Sequence, residues 1–298
     1  MNQPTQFCTV SLRAMLGYSL QSTLMTSFYR SIDRLSAVSY RGLSLGMTMA
    51  PLLLFVPGEQ FSAFPSVLGL VLLASLAAAL GNWAAASAFS YLPVGVASAL
   101  SMSFATLFVV LLGAVLFDEH LSSPQLLLIA ALLVGVIALG CSKTTGRRPE
   151  EFNLPRGFGS CLLFGVFLGT GYTIIGAASR QSHPFLVGYT WEFTIGLVAL
   201  ALSGWRRGFR APLQWISFRR FGILALYSAP TVLGTGAYAL AMTLGPIGIA
   251  TAIIGTMMVS NTVLAMFLFG ERPTRRQWAI LLAVCLCVGM LRYVSAAS

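Results

Sequence analysis

Long apolar stretches separated by short polar segments run through the whole chain. A helix needs about 20 mostly apolar residues to cross the hydrocarbon core of a bilayer. Ten stretches fit this length, at residues 8–29, 36–56, 65–90, 93–116, 123–141, 157–179, 185–204, 220–243, 246–269 and 276–294. The pattern therefore predicts an all-α integral membrane protein with ten transmembrane helices. The fifth and tenth stretches are almost purely apolar, and we expect them to face lipid at the periphery.

The longest polar interval lies almost at the midpoint of the chain. It covers residues 142–156, with the sequence SKTTGRRPEEFNLPR. We predict that it links a first half, residues 1–141, to a second half, residues 157–298, each with five helices.

The two halves share a sequence pattern. Pro93–Ala99 (PVGVASA) aligns with Pro246–Ala252 (PIGIATA), and the Glu and Gln that follow in each half also correspond: Glu119 with Glu271, and Gln125 with Gln277. Internal repetition is typical of secondary transporters, whose solute sites lie where the repeats meet. Because each half has an odd number of helices, the two copies are expected to be inverted relative to each other in the membrane.

Composition excludes an ordinary soluble domain. Hydrophobic residues make up 57% of the 298 residues and charged residues 9%, whereas a typical globular chain is about 25% charged. The net charge of +10 comes from basic residues in short loops, which is typical of membrane topology. No nucleic-acid-binding motif accompanies them.

Neither an enzyme nor a metal or cofactor site is predicted. His120 and His183 lie in loops, and the five cysteines lie in or beside apolar runs, where they fit as small buried residues. The chain contains no G-x-S-x-G, H-E-x-x-H or P-loop motif.

At the repeated motifs, Pro93…Glu119…Gln125 and Pro246…Glu271…Gln277, the chain resembles the EamA family of the drug/metabolite transporter (DMT) superfamily. The resemblance implies ten helices in two inverted five-helix repeats. It also implies secondary active transport of amino acids, other small metabolites or drugs, frequently outward, with the proton as a candidate coupling ion. The partners are then a small solute and the lipid bilayer, and the chain acts as a monomer or homodimer. A channel and a non-transporting scaffold or sensor are the alternative functions.

Glu192 is the most informative single residue, because a carboxylate inside a predicted span is costly unless it faces a cavity or a partner. It is a candidate for proton coupling or for contact with a substrate amine. The alternatives are a structural ion pair with Arg41 and an interfacial position. Arg41, which resembles an arginine of the family, could bind a substrate carboxylate or extend to the membrane surface.

Further polar and aromatic side chains in the predicted spans are candidate solute contacts. They are Gln21, Asn82, Trp83, Ser101, Tyr172, Trp191, Tyr238 and Asn261. Hydrogen bonding between helices uses the same residue types and is the alternative for each of them. If the aromatic rings face a central cavity, they favour amphipathic or aromatic solutes.

The orientation in the cell inner membrane has two conflicting indicators. Loops that would share one face carry fifteen of the 18 Lys and Arg residues, and only Arg13, Arg180 and Arg292 fall on the side of the termini. The positive-inside rule therefore places both termini outside. The family resemblance implies the reverse, with both termini in the cytoplasm.

Overall fold

The computed structural model describes residues 3–116, 122–140, 145–146 and 153–297, and almost all of them are helical. The helices of the first half are α1 Gln3–Tyr29, α2 Arg34–Thr48, α3 Gly58–Ala63, α4 Pro65–Tyr91, α5 Val94–Leu116 and α6 Ser123–Gly140. Those of the second half are α7 Leu154–Gln181, α8 Pro184–Arg207, α9 Phe218–Ser228, α10 Pro230–Leu244, α11 Ile247–Gly255, α12 Met257–Phe269 and α13 Arg275–Ala297. Two short strands, β1 Thr145–Gly146 and β2 Glu271–Arg272, pair antiparallel.

Every predicted span overlaps a helix or two consecutive helices, but only part of the membrane prediction is confirmed. Within the described residues, six helical segments are long and apolar enough to cross a membrane: 65–91, 94–113, 154–181, 184–207, 218–244 and 247–269. Helix α2 has 15 residues and α1 is rich in Ser and Thr, so length and composition do not identify these two as spans. The protein is therefore a multi-pass helical membrane protein. Helix length and apolar composition identify six candidate crossings within the described residues.

The second predicted span, 36–56, is not one continuous helix, and this expectation is corrected. Helix α2 ends at Thr48 and a 3₁₀ helix, Ala50–Phe55, follows it. Pro51 explains the change, because proline has no N–H to donate and disfavours the α conformation in the residue before it.

Two later spans are interrupted as well. Helix α9 ends at Ser228 and α10 begins at Pro230, with Ala229 between them. Thr256 separates α11 from α12, and its backbone N–H bonds the carbonyl of Ile253 three residues back instead of four.

The helices pack in pairs that match between the halves. In sequence order α1, α2, α4, α5 and α6 correspond to α7, α8, α9–α10, α11–α12 and α13. Helix α4 packs along α7, and the equivalent pair α10 and α1 does the same. Helix α2 packs on its counterpart α8, and α6 on α13. Leu127 in α6 and Leu286 in α13 are largely exposed, consistent with a lipid-facing pair at the periphery.

In each half, an arginine at an equivalent position donates hydrogen bonds to backbone carbonyls at the C-terminus of the third predicted span, which is α4 in the first half and α9–α10 in the second. At the end of α1, Arg30 donates from Nε to the Phe89 carbonyl at 3.0 Å and from Nη2 to the Leu92 carbonyl at 3.2 Å. Near the end of α7, Arg180 donates from Nε to the Met242 carbonyl at 3.1 Å. Its Nη2 bonds the Gly245 carbonyl at 3.3 Å. The same side chain therefore binds the same free carbonyls at a helix C-terminus in both halves.

Contacts between loops divide the loops into two groups. Residues at the C-terminal ends of α1, α4, α6, α8 and α12, or just beyond these ends, form one group. They are joined by the Asp33–Arg206 and Arg30–Glu271 ion pairs, the Asn153–Tyr91 backbone hydrogen bond and the β1–β2 strands. Gln3, at the start of α1, instead bonds the Leu244 carbonyl at the end of α10, close to Arg180 near the end of α7. The two groups lie at opposite ends of the long helices.

Candidate functional site

A buried ion pair joins α2 to α8. Arg41 Nη2 lies 2.9 Å from Glu192 Oε2, and the two side chains are 3% and 2% exposed. The helices come close enough for this contact because Gly42 and Gly196 face each other where they cross. A Cβ on either glycine would collide with the opposite backbone. The close packing of α2 on α8 therefore depends on glycine at both positions.

Two further helices hold the pair in place. Thr235 of α10 donates to Glu192 Oε1 at 2.6 Å, so each carboxylate oxygen has a donor. Asn82 of α4 accepts from Arg41 Nη1 at 3.2 Å. The hydroxyls of Tyr18 and Thr235 lie 3.0 Å apart. Five helices from both halves thus contribute to one network.

The ion pair lies in the wall of a cavity between the halves. The empty space, including its open side, is about 600 Å³. Its polar lining residues include Gln21, Ser22, Arg41, Asn82, Ser98, Ser101 and Glu192, and its aromatic lining residues are Tyr18, Tyr29, Phe89, Phe164, Tyr172 and Trp191. A mostly apolar cavity with a few polar groups is the usual form of a small-molecule site.

Three buried polar groups in this wall lack a hydrogen-bond partner within the part of the chain that the structure describes. They are the N–H donors Arg41 Nε and Trp191 Nε1 and the hydroxyl of Ser101. The Arg41 and Trp191 side chains are almost fully buried. Buried polar groups are generally hydrogen-bonded, so these two N–H groups, in residues that line the cavity, are suited to a bound acceptor.

Comparison with known proteins identifies the family. The sequence model of the EamA-like transporter family matches residues 8–141 and again residues 156–293. The chain belongs to the EamA family. The two matches make the internal repeat two copies of one EamA unit, and they place the chain in the DMT superfamily.

A solved structure described as "Crystal structure of protein" has the same fold. Its TM-score is 0.70 at 16% identity, over 98% of this chain and 96% of that chain. At this identity the likeness concerns the fold alone. No curated protein matches the sequence.

Most of the sequence-predicted site residues of this EamA chain line the cavity. They are Gln21, Arg41, Asn82, Ser101, Tyr172, Trp191 and Glu192. The Glu192–Arg41 ion pair, which was one of the alternatives for Glu192, is present. Trp83 does not line the cavity, although its neighbour Asn82 does.

Tyr238 and Asn261 lie behind the wall. The Tyr238 ring is fully buried 4.9 Å from the Tyr172 ring and 6.4 Å from the Tyr18 ring. Asn261 accepts from Ser19 at 2.8 Å and donates to Ser98 at 2.7 Å. Asn261 thus provides the interhelical hydrogen bonding that was the alternative to solute contact.

Sequence reasoning missed several lining residues, notably Tyr18, Tyr29 and Ser98. It also missed Thr235, which donates a hydrogen bond to Glu192. One signal could have found the first two. Helix α1 has an unusual number of polar residues for a helix in a membrane, and between Ser11 and Tyr29 most of them are buried against other helices. A polar helix that avoids lipid must face the protein interior.

The loops carry the other charge clusters of this EamA chain. Partial burial of Asp33 disfavours its charge, but hydrogen bonds from Ser36 and Arg206 outweigh this and lower its pKa. Burial raises the pKa of Glu271, although its carboxylate accepts from the Val94 N–H at 2.9 Å and pairs with Arg30. Among the described residues, no group of three His, Cys, Asp or Glu could hold a metal ion.

Proposed function

We propose that this EamA protein is a secondary active transporter that exports small metabolites, such as amino acids or related compounds, across the cytoplasmic membrane. The observation that carries the proposal is the buried Arg41–Glu192 pair in the wall of a cavity between the two repeats. Ionisable groups at membrane depth are costly and usually mark a solute or ion pathway.

The transport cycle that fits this architecture is alternating access by two inverted five-helix repeats with ten crossings. The matching helix pairs, the equivalent Arg30 and Arg180 contacts and the grouping of loops at two ends all support it. In such transporters the solute binds where the repeats meet, and the repeats move around it. The repeats are residues 1–141 and 157–298, joined by the linker 142–156.

The proton is the proposed coupling ion and Glu192 its carrier. Arg41 balances the charge of the ionised acid, and protonation would release Arg41 from it. Gln21, Asn82, Ser101, Tyr172 and Trp191 are the proposed solute contacts. Tyr238, Asn261 and Trp83 would support the wall from outside the cavity.

The proposed location is the cell inner membrane, with the face that carries fifteen basic residues in the cytoplasm and both termini outside. The proposed functional unit is a monomer, alone or as one unit of a homodimer.

Transport by the purified protein in liposomes tests the proposal. Uptake of labelled amino acids and other metabolites is followed with and without a pH gradient, for wild type, Glu192→Gln and the control Glu59→Gln. Glu59 is an exposed acid at the start of α3. We expect saturable, gradient-dependent flux in wild type and the control, and loss of the gradient dependence in Glu192→Gln.

The outcomes also separate the alternatives. A channel would give flux that does not saturate and that unlabelled solute on the far side does not accelerate. A scaffold or sensor would give no flux with any solute. Saturable flux that is equally gradient-dependent in Glu192→Gln would keep the carrier and remove Glu192 from coupling.

A further inference from the structure

The acid of the buried pair is already engaged on both oxygens. Glu192 accepts from Arg41 at 2.9 Å through Oε2 and from Thr235 at 2.6 Å through Oε1. An ammonium group entering the cavity would also bring a second positive charge next to Arg41. The site is therefore poorly suited to amines and cationic drugs.

Two N–H donors remain available in the wall, beside the hydroxyl of Ser101, which can donate or accept. Arg41 Nε and Trp191 Nε1 are unpartnered among the described residues, and both side chains are at least 97% buried in the cavity wall. Leaving such donors unpaired costs free energy that a ligand acceptor would recover. A carboxylate suits them best, because guanidinium N–H groups match its planar oxygens.

Charge balance then requires a proton. The pair is neutral, so a ligand carboxylate would place two anions against Arg41 in a buried site. Other titratable or polar groups face the pair from each neighbouring helix: Tyr18 and Tyr29 on α1, Asn82 on α4, Tyr172 on α7 and Thr235 on α10. Asn82 and Thr235 do not titrate and tyrosine hydroxyls are neutral near pH 7, so Glu192 is the group that can take up the proton from solvent.

The rest of the lining defines the body of the ligand. Six aromatic side chains line the cavity, together with Met102, Leu168 and Met257. Stacking and apolar contact with these side chains favour an aromatic or bulky aliphatic body.

We infer that the cavity binds an amphipathic monocarboxylate together with one proton, with the ligand carboxylate on Arg41 and Trp191 and the proton on Glu192. The inference rests on the proposed function and names its substrate class. The complex adds no net charge to the membrane interior. Proton and solute move in the same direction, so export proceeds when the outward solute gradient exceeds the inward proton gradient.

Binding of matched probes to the full-length protein in detergent tests the inference. The probes are 3-phenylpropionate, its amide and 3-phenylpropylamine, titrated calorimetrically at several pH values in buffers of different ionisation enthalpy. We expect the carboxylate to bind at least tenfold more tightly than the amine, with uptake of up to one proton. Its apparent Kd should rise with pH by up to about tenfold per unit, the limit for one linked proton.

Two variants assign the roles. Glu192→Gln should bind 3-phenylpropionate with little dependence on pH, because Arg41 is then permanently available. Trp191→Phe keeps the ring but removes the donor, and it should weaken binding severalfold while the pH dependence stays. Trp205→Phe, at an 80% exposed tryptophan, is the matched control and should leave binding unchanged.

The contrary results are distinct. Amine binding as tight as carboxylate binding would overturn the choice of ligand, and so would absence of carboxylate binding to the folded wild type. Carboxylate binding without proton uptake would overturn the coupling. If the probes give these contrary results but other solutes are transported in liposomes, the proposed function stands and only the substrate class fails. If the carboxylate binds with a proton but nothing is transported, the site stands and the transport function fails.

Discussion

Gly42 and Gly196 meet backbone to backbone where α2 crosses α8, directly beside the ion pair. A Cβ on Gly42 would lie 2.4 Å from the Cα of Gly196, and one on Gly196 would lie 2.7 Å from the Leu43 nitrogen. The contact therefore sets the distance between the helices that carry Arg41 and Glu192.

The first prediction concerns this crossing. Gly42→Ala should destabilise the protein by roughly 1–3 kcal/mol, because the backbones must separate to make room. The measurement is thermal unfolding in detergent. Gly69→Ala in α4 is the control, since its added Cβ meets nothing within 4 Å, and it should be neutral or stabilising. Equal losses in the two variants would contradict the role of the crossing.

The second prediction concerns the cost of breaking the ion pair. Arg41→Met leaves the Glu192 carboxylate buried without its counter-charge, and should destabilise by about 3–5 kcal/mol at neutral pH. The double variant Arg41→Met/Glu192→Met removes both charges and should recover most of that loss. A double-mutant cycle of unfolding midpoints measures this, and additive losses would show that the two side chains do not interact.

The third prediction uses Asp33, whose pKa is lowered in the folded state. A lowered carboxyl pKa contributes stability that is present above the unfolded value of about 3.9 and is lost as pH falls through the folded value. Wild type should therefore be more stable than Asp33→Asn at pH 6, and the difference should shrink progressively as the pH falls below about 4. Thermal unfolding of both proteins across this range is the measurement. A difference that stays constant down to pH 3 would exclude a contribution from the Asp33 charge.

The fourth prediction concerns orientation. Alkaline phosphatase fused after Ser298 should be active in a bacterial host, because the charge distribution places the C-terminus outside. A fluorescent protein fused there should stay dark. Replacing Arg206, Arg207 and Arg210 by Glu tests whether the basic residues set the orientation. It should reduce the fraction of molecules with the C-terminus outside. Bright fluorescence with inactive phosphatase would support the orientation that the family resemblance implies.

The sequence predicts most of this fold because apolar stretches of membrane length are a strong signal. It also makes the Arg41–Glu192 pair one explicit alternative, since both residues lie at similar places in their halves. The break after Thr48 was missed, although Pro51 is visible in the sequence. The effect of Pro51 on a predicted span depends on what packs around it, which the sequence does not give.

The cavity wall is harder to predict, for a physical reason. Lipid and protein interior are both apolar, so periodicity does not separate the two faces of a membrane helix as it does in a soluble protein. Asn82 and Trp83 therefore looked equally eligible, and only the first lines the cavity. Thr235 gave no signal, because threonines are common in such helices. The transport roles of all these residues stay predictions.

The contact of Glu271 has a consequence for motion. This residue follows the ninth predicted span, in the second repeat, yet its carboxylate receives the first N–H of α5 in the first repeat. If the repeats parted at this end, the N-terminus of α5 would lose its cap and Arg30 its counter-ion. The two repeats are therefore bonded to each other at this end of the molecule. Any movement that separates them here must first break the bonds of Glu271 to Val94 and Arg30.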